Sequence, residues 1–160
     1  MKSANTQTTD EKSETAEPGV QVTGNVVGRS REPGRPRILL VDDDAVVEHL
    51  IRESFGKQYD VQAIVSCVDL VYVLDSFRPH LIILDIVLPW INGLDLCLDL
   101  RQSARYGRIP VLFLSAMTSP DDVAAGLRAG AKGYITKPFH LPQIRRFVDK
   151  LLTGDGAGAR

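Results

Sequence analysis

The feature that most constrains this chain is a regular beat that begins at Arg37, in which short apolar runs alternate five times with stretches of helical period. "RILLV" (37–41) is followed by a helical pattern from Asp44 to Lys57, "YDVQAIV" (59–65) by one from Val68 to Phe77, and "HLIILD" (80–85) by one from Gly93 to Tyr106. "IPVLFLS" (109–115) precedes a helix over Pro120 to Ala129, and "GYIT" (133–136) precedes a last helix over Leu141 to Leu152. Short continuous apolar runs are how strands buried on both faces read, and parallel strands need a helix-sized crossover between them. The beat therefore predicts an α/β fold, a doubly wound five-stranded parallel sheet of (βα)5 type. At 160 residues, 44% of them hydrophobic, the chain supports one core and not two.

Local punctuation agrees. In "SPDD" Ser119 suits an N-cap, Pro120 the first helical position and the two acids the first turn, while Gly130 suits a left-handed C-terminal cap. From Met1 to Pro36 there are no aromatics and few large apolar residues, too little to offset the entropy of ordering the backbone. Residues 1–36 are expected to be a disordered N-terminal tail, 37–152 the folded domain, and 153–160 a flexible C-terminal tail. The glycines of "TGDGAGAR" lack the strand-turn-helix context of a nucleotide loop.

Composition excludes some partners. The net charge is −1 with acids and bases interleaved, so no basic face points to DNA, and no DNA partner is expected. Cys67 and Cys97 have neither CxxC spacing nor a histidine cluster beside them, which indicates free thiols, and His49, His80 and His140 lie on separate elements without ligand spacing. No segment has the apolar length of a signal peptide or a membrane span, so a cytoplasmic protein with no membrane partner is expected.

The chemistry begins with "ILLVDDD", which sets Asp42, Asp43 and Asp44 directly after an apolar run. Like charges at 4 Å repel by about 4 kcal/mol when the effective dielectric is about 20, so the cluster needs a counter-charge. In an open parallel sheet, ligands bind outside the carboxyl ends of the strands. Those ends hold the three acids (strand one), Asp85 (strand three), Ser115 (strand four) and Lys137 with Pro138 (strand five). Carboxylates from two neighbouring strand ends can share Mg²⁺, a hard cation that takes oxygen ligands. The lysine and the hydroxyl would serve phosphoryl oxygens, and one remaining carboxylate could form an aspartyl phosphate.

In "ILLVDDD", "LIILDIVLPWINGL", "IPVLFLSA" and "AGAKGYITKPF", taken in this order and at these spacings, the chain resembles the receiver domain of bacterial two-component response regulators from Arg37 to Leu152. The resemblance implies a flavodoxin-like strand order 2-1-3-4-5. It makes Asp85 the phospho-acceptor, Asp43 a direct Mg²⁺ ligand, Asp42 an outer ligand acting through water, and the carbonyl of Val87 a further ligand beside Asp85. Ser115 becomes the catalytic and switch hydroxyl, Lys137 its cationic partner and Tyr134 the aromatic that changes rotamer. Asp44 receives no metal role and opens the first helix.

By the same resemblance the chain is a phospho-acceptor signalling module that catalyses only its own phosphorylation and dephosphorylation. Its donor is a histidine kinase or a histidine phosphotransfer protein. Since eight residues follow Leu152, a stand-alone receiver is expected, with output to a protein target through the face of the fourth helix, fifth strand and fifth helix. The alternatives are a Mg²⁺-dependent aspartyl-phosphate phosphohydrolase, which would want an acid where Val87 stands, and a non-phosphorylated interaction module. The chain departs from the family pattern at Leu88, Ile91-Asn92 and Ser115 without losing a functional group, and Leu98 falls at an exposed position. Trp90, beside the site, is either a partner contact or a half-covered loop aromatic.

Overall fold

The computed structural model describes residues 34–153. Its elements in chain order are β1 (Arg37–Val41), α1 (Ala45–Phe55), β2 (Asp60–Ile64), a 3-10 turn (Cys67–Asp69), α2 (Leu70–Phe77), β3 (Leu81–Leu84), α3 (Gly93–Gln102), β4 (Val111–Ser115), α4 (Pro120–Arg128), β5 (Gly133–Thr136) and α5 (Leu141–Thr153). The strands pair in parallel in the order β2-β1-β3-β4-β5, as expected.

Side-chain alternation along each strand divides the core into two layers. Ile38 and Leu40 of β1, Leu81 and Ile83 of β3, and Leu112 and Leu114 of β4 pack with Val47, Ile51 and Phe55 of α1 and Ile144 and Val148 of α5. Leu39, Val41, Ile82, Leu84, Val111 and Phe113 point the other way, against Val73 and Phe77 of α2 and Leu96 and Leu100 of α3. This is why the strand runs are apolar at every position: each alternate residue meets a helix. A fully buried Leu or Ile contributes about 1.5–3 kcal/mol, so these two layers dominate the stability of the fold. Among the described residues, no helix is long and apolar enough to cross a membrane.

Helix starts follow cap chemistry. Asp44 Oδ1 accepts from Val46 N at 2.8 Å, and Asn92 Oδ1 from Leu94 N at 2.8 Å. Ser119 and Asp122 form a reciprocal capping box, both bonds at 3.1 Å. Such caps contribute about 1 kcal/mol each. Gly130 has φ +97°, the left-handed cap expected after α4.

Some boundaries differ from those read in the sequence. α3 stops at Gln102, short of Tyr106, because Ser103 turns to extended backbone and Arg101 donates to Gly107 O at 2.6 Å, folding the chain back. α2 begins at Leu70 because a 3-10 turn takes up the residues before it. Arg35 and Pro36, assigned to the tail, belong to the fold: Arg35 donates to Tyr59 O at 3.1 Å, and Pro36 O accepts from Asp60 N at 2.9 Å, extending the ladder to β2. The rest of the expected tail, 1–33, and the glycine-rich end, 154–160, lie outside the described residues.

Candidate functional site

Register brings the polar residues together. Val41 of β1 pairs with Leu84 of β3, so Asp42 and Asp85 each stand one residue beyond a matched pair, and Asp85 N donates to Val41 O at 2.9 Å. Ser115 pairs with Thr136 at the ends of β4 and β5, and Lys137 N donates to Ser115 O at 2.8 Å. The Lys137–Pro138 peptide is cis. All these groups therefore leave the carboxyl edge of the sheet.

Gly93 permits the approach of α3 to this edge. A Cβ on Gly93 would lie 2.3 Å from Asp85 O and 2.7 Å from Ile86 Cα, so only glycine lets the helix begin against the end of β3. The sequence reading assigned Gly93 no role; its signal was the Asn-Gly pair at a helix start.

The acids are not equivalent. Asp42 is fully buried and Asp85 is 6% exposed, whereas Asp43 is exposed. Each offers a carboxylate oxygen, and the three oxygens lie within 4.8 Å of one another. Lys137 Nζ donates to Asp42 Oδ2 and to Asp85 Oδ2, both at 2.8 Å. The second oxygens are also held: Asp42 Oδ1 accepts from Asp44 N at 2.9 Å, and Asp85 Oδ1 from Val87 N at 3.1 Å.

Burial pushes the Asp42 carboxyl above the usual carboxylate range, against the opposing pull of the Lys137 hydrogen bond. Burial works to lower the Lys137 ammonium, but its hydrogen bonds to Asp42 and Asp85 outweigh that and hold it above the ordinary lysine value. The site thus carries three carboxylates against one ammonium, an excess of negative charge suited to a divalent cation. Oxygens in an octahedron of bonds about 2.1 Å long stand roughly 3–4 Å apart, which side-chain adjustment of this cluster can meet.

The remaining residues frame these carboxylates. Ser115 is buried, and its Oγ accepts from Met117 N at 3.2 Å. Tyr134 is half-buried beside Phe113, ring centroids 5.9 Å apart, and its hydroxyl donates to Met117 O at 2.8 Å. Burial pushes its phenol up, while a hydrogen bond with Ser115 opposes the shift. Val87 exposes its side chain at the rim and directs its N–H at Asp85, a contact the sequence did not foretell. Asp44 is the N-cap of α1, as expected.

The other residues singled out lie elsewhere. Trp90 is half-covered, its Nε1 donating to Val65 O at 2.9 Å. His49, His80 and His140 are exposed and apart, and Leu98 is exposed as expected. His80 Nδ1 accepts from Arg37 N at 2.9 Å at the opposite edge of the sheet. Cys97 is a free, buried thiol.

Comparison with known proteins bears on the fold that holds these residues. Residues 38–149 match the family described as "Response regulator receiver domain". The chain is 36% identical over 118 residues to the "DNA-binding dual master transcriptional regulator RpaA" of Synechocystis sp., covering 73% of this chain and 49% of that protein. It is 40% identical over 106 residues to the "DNA-binding response regulator MtrA" of Mycobacterium leprae, covering 66% of this chain and 46% of that protein. Among solved structures it resembles the signal receiver domain of a signal transduction histidine kinase from Syntrophus aciditrophicus (29% identity, TM-score 0.68, 78% of this chain and 95% of that one). It also resembles the receiver domain of the Francisella response regulator 1452 (26% identity, TM-score 0.67, 73% and 96%).

The chain spans about half the length of the curated relatives it matches. Two of those relatives are named DNA-binding, which overturns the expectation of protein-only output with DNA excluded. The physical reason is simple: net charge reports only on the residues counted, and these cover half of each relative.

Proposed function

This chain belongs to the response regulator receiver domain family, and on that premise we propose that Asp85 accepts a phosphoryl group in a two-component signalling pathway. The observation that carries the reading is the convergence of three carboxylates within 4.8 Å, two of them bridged by one lysine. The proposed donor is a phosphohistidine on a kinase or phosphotransfer protein. A carboxylate oxygen of Asp85 forms the bond to phosphorus as the bond from phosphorus to the imidazole nitrogen breaks, and the electron pair leaves with the nitrogen. The domain turns over no separate substrate; the chemistry proposed is its own phosphorylation and hydrolysis.

Asp42, Asp43, Asp85 and the carbonyl of Val87 are the proposed Mg²⁺ set. When bound, the cation supplies charge stabilisation to the transferring phosphoryl oxygens. Val87 N holds the Asp85 carboxylate in place. Lys137 bridges the two buried carboxylates, offsetting part of their charge, and is placed to pair with a phosphoryl oxygen once Asp85 carries it. The Ser115 hydroxyl is the proposed second donor, and its movement would draw on Met117 and Tyr134, to which it is already connected.

The names of the relatives make DNA a proposed partner of the signalling output, and a cytoplasmic location accompanies that reading. Incubation with Mg²⁺ and a small phosphodonor is the test. The native chain is expected to acquire acid-stable, base-labile label, and Asp85→Asn to acquire none. Full labelling of Asp85→Asn would remove Asp85 from its proposed role.

A further inference from the structure

α4 (Pro120–Arg128) is firmly capped yet thinly anchored. It carries the capping box, a first-turn proline and a glycine cap, but within the helix only Gly126 is fully buried. Leu127, its largest apolar side chain, is 49% exposed. The helix therefore meets the sheet through a residue that has no side chain.

What Gly126 meets is specific. A Cβ on it would lie 2.7 Å and 2.9 Å from Cδ2 and Cε2 of the Tyr134 ring, and 3.1 Å from Cδ2 of Phe113. Carbon atoms packed without strain stay about 3.5–4.0 Å apart. Glycine is also the poorest helix former after proline, and it follows Ala124 and Ala125 in this helix. Local helix chemistry favours alanine at position 126, and packing against Tyr134 opposes it.

We infer that Gly126 is a positioning residue for Tyr134: the notch it leaves admits the phenol ring beneath α4, so that the Tyr134 hydroxyl reaches Met117, two residues beyond Ser115 at the end of β4. Phe113, at 3.1 Å, need give only a few tenths of an ångström, whereas the Tyr134 ring at 2.7 Å cannot keep its place beside a methyl group at position 126. The capping box keeps the start of α4 helical, and the half-buried Tyr134 ring can rotate outward about χ1. A larger residue at 126 thus breaks the bond from Tyr134 to Met117 O and leaves the loop after β4 without its link to β5. The consequence for signalling rests on the proposed role of Ser115, but the notch itself is a property of the unphosphorylated chain.

The test uses Tyr72, 71% exposed, as an internal standard. The full unphosphorylated chain is nitrated with tetranitromethane and each tyrosine is followed by peptide mapping. Gly126→Ala is expected to raise nitration of Tyr134 severalfold relative to Tyr72 and to leave Tyr59 unchanged. An unchanged Tyr134 rate in folded Gly126→Ala overturns the inference.

Urea denaturation separates a steric notch from a general packing defect. Gly126→Ala should lower the midpoint in the native background and raise it in a Tyr134→Ala background, where the ring is gone and alanine is the better helix former. A shift of the same sign in both backgrounds also overturns the inference. Beryllofluoride with Mg²⁺ then reads the signalling consequence: it should alter Tyr134 nitration in the native chain and not in Gly126→Ala. If beryllofluoride alters neither chain, the proposed coupling of Asp85 to Tyr134 fails, while the metal-free measurements still decide the notch and labelling of Asp85→Asn still decides the acceptor.

Discussion

Lys137 Nζ donates to Asp85 Oδ2 at 2.8 Å, joining the loop after β5 to the end of β3 across 52 residues of sequence. The same ammonium holds Asp42, and both carboxylates are nearly closed to water. Removing one partner of a buried ion pair leaves an uncompensated charge, at a cost on the order of 3 kcal/mol. Lys137→Met is expected to lose stability of that order without Mg²⁺ and to regain part of it at millimolar Mg²⁺. Urea denaturation with and without the metal checks this, and an unchanged midpoint would show that the ammonium does not compensate the acids.

Asp42 carries the opposite sign of effect. Its folded pKa lies above the unfolded value of 3.8, chiefly through burial, so the folded state binds the proton more tightly. Stability linked to this group is present below 3.8 and is lost as pH rises through the folded pKa. Asp42→Asn is therefore predicted to stabilise the metal-free chain at pH 7, with the advantage over the native chain shrinking as pH falls toward 3.8. Denaturation midpoints measured across that range decide it; an advantage independent of pH would assign the effect to something other than ionisation.

Asp43 is exposed and makes none of the buried contacts of its neighbours. Its replacement should separate metal binding from folding. Asp43→Ala is expected to weaken Mg²⁺ binding tenfold or more in isothermal titration calorimetry, with no loss of stability in the metal-free chain, because the charge removed lies within 4.8 Å of two other carboxylates. Native-like Mg²⁺ affinity in this variant would take Asp43 out of the proposed ligand set.

The lifetime of the proposed phosphoryl group should depend on Val87 and Met117. Val87 is 58% exposed beside Asp85, and Met117 is half-buried beside Ser115. Hydrolysis needs a water held in line with the scissile bond, and neither side chain can hold one by a strong hydrogen bond. Val87→Asn with Met117→Gln is predicted to shorten the lifetime several-fold, followed as decay of label after removal of the donor. Equal decay in the two proteins would show that these flanks do not govern hydrolysis.

Much of this molecule was decided locally and so could be read along the chain. The five apolar runs became the five strands because a strand covered on both faces must be apolar at successive positions, as in Ile38 to Val41 and Leu81 to Leu84. Asp44 and Ser119 opened their helices because a cap needs only a side-chain oxygen two or three residues from its amide. The polar residues fell at one edge because parallel strands all end there.

Tertiary structure alone decided how the groups at that edge differ. Asp42, Asp43 and Asp44 are adjacent in sequence, yet one is sealed, one exposed and one a helix cap, because each successive residue leaves the strand end in a different direction. Lys137 reaches Asp42 across 95 residues only through the register of three strand pairings, β1 with β3, β3 with β4 and β4 with β5. Gly93 and Gly126 look like helix defects in the sequence; their purpose is the backbone of Asp85 in one case and the ring of Tyr134 in the other. Distances of this kind depend on how separate elements pack, and no pattern within a single element carries them.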